Sequence, residues 1–203
     1  MKFFAYSSTP LNRKHGPYGY TRYQAYKPWL RDEFVFECAY CLFRELWYPN
    51  GHGAFSSDHF VSRSQDSSKT LDYDNIVYAC LRCNSLKQDH DVLDPFKLAL
   101  SKHMRINSDG SITPLTPEGS EHVQILGLDD PILTKFRAKV IFLAEKLQAL
   151  EPRVADIALR DWFGFPVNLP NLKRMRPRGN TRPDGVKTCF YEQRKAGTLP
   201  NIY

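Results

Sequence analysis

From Ile132 the apolar positions recur every three or four residues, through Phe136, Val140, Leu143 and Leu147 to Leu150, and trace one stripe. That period predicts the clearest helix of the chain, capped by Asp129 or Asp130 with Pro131 at its first position. Such a stripe packs as core or docks a partner helix. A second helix is predicted from about Arg153 to Phe163, stopped by Gly164 and Pro166. Elsewhere the elements are short. The apolar run Asn75-Ile76-Val77-Tyr78-Ala79-Cys80 reads as a strand, and Cys83 to Lys87 starts a helix just after it. The stretch MRINSDGSITPL reads as a hairpin turning on Ser-Asp-Gly. Asp94-Pro95-Phe96 marks a turn before an amphipathic piece ending near His103, and Thr116-Pro117-Glu118-Gly119 opens a short helix through Leu126. From Asn168 the chain is rich in Pro, Arg and Gly with little period, which predicts an extended tail.

The candidate chemistry lies between Phe34 and Asp94. Two Cys-x-x-Cys pairs, Cys38/Cys41 and Cys80/Cys83, bracket Asp58-His59 and Asn75, and Asn84 follows the last cysteine. Each pair sets two thiolates on one tight turn, and two such turns complete the tetrahedral sulfur shell of a structural zinc. The alternatives are buried thiols or two disulfides. Disulfides require an oxidising compartment, and the N-terminal MKFFAYSSTPLNRK has no signal-peptide core, so a cytoplasmic chain is expected. Cys189 lies far from the cluster and reads as an ordinary, partly buried thiol.

A zinc site closed by four thiolates leaves no open position for catalysis, so chemistry needs a second centre. Asp58 offers a hard oxygen ligand for magnesium, and Asn84 a carbonyl oxygen. His59 offers an imidazole that takes a proton from water near neutral pH. On a strand Asp58 and His59 point to opposite sides, a metal site on one flank and a base on the other. Gln88, one turn past Asn84, faces the metal side, whereas His90 is turned away from it.

The order CxxC, Asp-His, Asn, CxxC-Asn resembles the zinc-stapled branch of the HNH endonucleases, over about sixty residues. The resemblance implies an α+β fold: a ββα-metal core with a structural four-cysteine zinc site, flanking helices and a short hairpin. It implies His59 as general base, Asp58 and Asn84 as ligands of a catalytic magnesium or manganese, and Asn75 as the residue that holds the histidine-bearing loop. It further implies a phosphodiester hydrolase acting on DNA before RNA. An ATPase or another subunit of a bacterial antiviral defence system is the protein partner it suggests.

Composition and charge add a surface to this centre. The chain has 203 residues, 42% of them apolar, and no segment of membrane-span length. Its net charge of +6 is unevenly placed. Residues 1–31 hold Lys2, Arg13, Lys14, Arg22, Lys27 and Arg31 with no acid. Residues 171–187 hold Lys173, Arg174, Arg176, Arg178, Arg182 and Lys187 against Asp184 alone, while residues 32–170 are net acidic. Basic flanks beside an acid-rich centre suit a polyanion; solvated ends are the other reading. Arg22, Lys27 and Arg31 on the first flank, Arg63 and Lys69 in the polar loop, Lys87 on the helix, and Arg174 and Arg176 on the second flank are the candidate phosphate contacts. Trp29, Leu30, Phe34 and Phe36 are expected to cover the zinc knuckle, and His52 to lie in a surface turn. The chain divides into a basic aromatic flank (1–33), the nuclease core (34–94), a helical extension packing on it (95–170) and a basic tail (171–203). Two other functions use the same residues: a non-catalytic zinc-ribbon nucleic-acid-binding module, and a scaffold whose long helix recruits a partner.

Overall fold

The structure is a computed structural model and describes residues 4–203; Lys2 of the basic flank lies outside them. Helix α1 (Lys27–Glu33) carries Pro28 in its first turn and buries Trp29 and Leu30. Two residues in the left-handed region, Val35 (φ 52°) and Phe36 (φ 60°), then swing the chain into the first Cys-x-x-Cys turn. That conformation is costly for side chains of this size, and full burial of Phe36 against Phe165, Phe190 and Tyr203 offsets it.

The centre is a two-stranded antiparallel sheet. Strand β1 (Phe55–His59) pairs with β2 (Ile76–Cys80) in a register that sets Phe55 opposite Cys80 and His59 opposite Ile76. Every residue of β2 is buried, because α1 covers the sheet and Phe55 stacks on Tyr78 at 4.9 Å. A continuous apolar run is what a strand covered on both faces requires. Helix α2 (Leu81–Lys87) follows without a loop, its start capped by Cys80, whose sulfur accepts from the Cys83 N–H.

A second hairpin, β3 (Met104–Ile106) and β4 (Ile112–Pro114), leads to α3 (Pro117–Ile125), capped by Thr116. Helix α4 (Pro131–Gln148) is capped by Asp130, and α5 (Pro152–Phe163) packs beside it. Gly110, at the hairpin turn (φ 79°), lies so close to α4 that a Cβ would stand 2.4 Å from the Thr134 carbonyl. The buried Arg137 of α4 fixes this contact by donating to the carbonyls of Gly110 and Leu128.

Two expectations change, and a third takes a definite form. The α4 stripe is core only in its middle: Val140 and Leu147 are buried and Phe136 packs on Phe43 and Trp47, but Ile132 and Leu150 at the two ends are exposed. The amphipathic piece after Pro95 takes the form of a turn and one 3₁₀ turn, Leu100–Lys102. So short a segment does not sustain a helix alone, and Ser101 gives its N–H to the Ser7 carbonyl. The segment expected to run extended contains α6 (Asp184–Lys187) and α7 (Phe190–Ala196). Single anchors hold it down: Asn180 bridges to Pro17, Arg182 pairs with Asp74 at 2.8 Å, and the Phe190 N–H donates to Asp32. No helix among the described residues is long and apolar enough to cross a membrane.

Candidate active site

Two centres share the ββα unit. In the first, the sulfurs of Cys38, Cys41, Cys80 and Cys83 lie within 4.8 Å of one another and all four residues are buried. The Cys41–Cys80 separation is 3.8 Å. A tetrahedron with zinc–sulfur bonds of about 2.3 Å has edges of about 3.8 Å, so spacing and donor set fit a structural zinc.

The second centre is an open cleft of about 350 Å³ lined by Asp58, His59, Asn84, Tyr23, Arg63 and Gln88, among others. Strand β1 delivers Asp58 and His59, and α2 delivers Asn84 from across the sheet. Although neighbours on a strand, both Asp58 and His59 reach this cleft, since His59 is the last residue of β1. Asp58 is buried and accepts a 2.7 Å bond from the Tyr40 hydroxyl on Oδ2. Burial pushes its carboxyl up to about 6, against the lowering pull of Lys87 and Tyr40. Asn84 gives its side-chain N–H to Ser56 Oγ, which leaves its carbonyl oxygen free of that bond. Ser57 also borders the cleft, its hydroxyl buried and without a hydrogen-bond partner. The Asp58 carboxylate and the Asn84 amide oxygen are hard donors, the chemistry that magnesium or manganese takes.

His59 is oriented from two sides. Its Nε2 lies 2.9 Å from the Thr70 carbonyl, which only accepts, so the ring proton sits on Nε2 and Nδ1 keeps its lone pair. Tyr23 packs on the ring with centroids 4.4 Å apart, and Arg63 lies over Tyr23. Burial lowers the His59 pKa against the raising effect of the Thr70 bond, with Arg63 and Lys87 acting in the same direction as burial. Asn75 ties both ends of the following loop: its side chain accepts from the Val61 N–H and donates to the carbonyls of Val61 and Lys69.

The candidate phosphate contacts divide. Arg63 is exposed at the cleft; Arg22, Arg174 and Arg176 are exposed but do not line it. Lys87 differs from expectation: it is fully buried, its Nζ donating to the His59 carbonyl at 2.9 Å, because the Asn84 face of α2 runs beneath β1. Arg31 and Lys27 are also engaged internally, Arg31 in a two-pronged pair with Glu45 and Lys27 on the Phe55 carbonyl. Lys69 pairs with Asp66. His52 and His90 are exposed and outside the cleft. Sequence reasoning missed Tyr40, Tyr23 and Thr70. Tyr40 alone carried a signal, as an aromatic ring in the spacer of a Cys-x-x-Cys turn.

A hairpin feeding directly into a helix, with Asp58, His59 and Asn84 lining one cleft, is a ββα-metal core. Residues 38–90 match the family model of the HNH endonuclease, so this part of the chain is an HNH endonuclease domain. No curated protein matches the chain. The domain implies a nucleic-acid substrate.

Proposed function

We propose that this protein is a metal-dependent endonuclease that hydrolyses phosphodiester bonds in DNA. The observation that carries the reading is His59 in the same cleft as Asp58 and Asn84, its Nε2 held by the Thr70 carbonyl so that the neutral ring keeps its lone pair on Nδ1. His59 takes a proton from a water attacking the phosphorus in line with the leaving 3′ oxygen. Asp58 and Asn84 would hold magnesium or manganese, which when bound supplies positive charge at the phosphate and the leaving oxygen. The products carry 5′-phosphate ends. Arg63 at the cleft, and Arg22, Arg174 and Arg176 on the exposed flanks, supply phosphate contacts. DNA is favoured over RNA on the resemblance to HNH nucleases. A setting in antiviral defence with an ATPase partner rests on that resemblance too, and co-purification with mass measurement tests it.

Plasmid nicking with added magnesium or manganese, by the parent and by His59→Ala, tests the catalytic assignment. Loss of a positioned general base lowers the rate by about 10²–10⁴. Equal cutting by both proteins means that the activity is a contaminant and the assignment is wrong.

A further inference from the structure

We propose that Tyr40 is a positioning residue for Asp58, an arm through which the four-cysteine knuckle sets the geometry of the catalytic metal site. The inference rests on the reading of Asp58 as a metal ligand. Tyr40 is a spacer residue between Cys38 and Cys41, a place where a side chain has no duty towards the sulfurs, yet it is fully buried. Three contacts hold it. Its carbonyl accepts from the Tyr6 hydroxyl at 2.9 Å, its ring stands edge-on to His122, and its hydroxyl donates to Asp58 Oδ2 at 2.7 Å. The turn itself is fixed: the Ala39 N–H donates to the Tyr78 carbonyl of β2, and the Cys38 N–H to the Phe43 carbonyl.

A carboxylate is loose about its last torsion, since that rotamer well is broad and two-fold. A bond to one oxygen, from a donor that is itself immobile, removes this freedom and leaves the other oxygen available as a ligand. Tyr40 is such a donor, and its backbone belongs to the cysteine turn. The knuckle therefore does more than fasten the hairpin. Outer partners of this kind change metal affinity by about 10–100-fold when removed.

The test uses the full chain loaded with zinc. Tyr40→Phe keeps the ring and drops the hydroxyl. Mn²⁺ binding is read from the electron paramagnetic resonance of the free ion, with zinc content and far-UV circular dichroism measured alongside, for the parent, Tyr40→Phe and Asp58→Ala. The expected result is a Tyr40→Phe protein that keeps its zinc and fold but binds Mn²⁺ at least about tenfold more weakly. Parental Mn²⁺ affinity in Tyr40→Phe, with binding abolished in Asp58→Ala, overturns the inference and leaves the metal-site reading standing. Binding that survives in Asp58→Ala overturns both. If Tyr40→Phe loses zinc, Tyr6→Phe takes its place, because it frees the Tyr40 carbonyl and keeps the hydroxyl. Weaker Mn²⁺ binding with zinc retained then supports the arm, and unchanged binding overturns it.

Discussion

Replacing Lys87 with methionine separates a buried strut from a phosphate contact. The side chain is fully buried, and its Nζ donates to the His59 carbonyl at 2.9 Å, the residue on which catalysis is proposed to turn. Methionine has similar length and leaves little cavity, so the main loss is the charge-assisted bond. Bonds of that type contribute about 1.5–3 kcal/mol, and the carbonyl left behind is buried. The substitution also removes a positive charge that holds the Asp58 carboxyl down, so that carboxyl rises further above about 6. A loss of about 2–3 kcal/mol in a chain of this size lowers the melting temperature by roughly 5–10 °C. Calorimetry on the zinc-loaded protein, paired with DNA binding measured without magnesium, reads both quantities. The strut predicts a lower melting temperature with unchanged DNA affinity. An unchanged melting temperature, with weaker binding and a salt dependence shallower by about one phosphate contact, would refute it.

Two further substitutions probe the supports of the site. Arg31 makes a two-pronged bond to the buried Glu45 and also bonds Asn168, so Arg31→Ala strands a carboxylate inside the protein. Breaking such a pair costs about 3–5 kcal/mol, and urea unfolding that shows less than about 1 kcal/mol would place this pair among surface ion pairs in energetic effect. His122 accepts the Leu93 N–H, and burial, helped by His103, lowers its pKa to about 4. Its folded value lies below the unfolded one, so the stability it supports is complete above about pH 6.5 and falls as the pH drops towards 4. Between pH 7 and pH 5 this removes about 2 kcal/mol from the parent. His122→Gln should lose correspondingly less over that interval in urea titrations, and identical losses would contradict the assignment.

Much of the centre was legible because its chemistry is local in sequence. The two cysteine spacings, the Asp58-His59 dipeptide and the polar cap at Asp130 each declare themselves within a few residues. The β2 strand and the helix at 152–163 agree with their patterns to within a residue or so, since apolar runs and Gly-Pro stops are local too. What was missed depends on distant neighbours. Helical spacing correctly sets Lys87 and Asn84 on one face, but only the packing of α2 under β1 turns that face inward. The exposed ends of the α4 stripe at Ile132 and Leu150 depend on where the partner surface stops. Helix α7 is short and anchored by Phe190 on Asp32 and Phe36, contacts that no periodicity encodes. Tyr40 reaches Asp58 across 18 residues of chain, and its place inside the cysteine turn gives only its starting point.

The central claim is that one metal fastens the scaffold and a different one serves the cleft. Metal content and plasmid cutting, measured on the same protein after dialysis against a chelator too weak to strip a four-thiolate site, test it most directly. The account predicts one zinc retained per chain, no cutting in that state, and cutting restored by added magnesium or manganese. Cutting that proceeds at full rate with zinc alone, or a folded chain that holds no zinc, would contradict it.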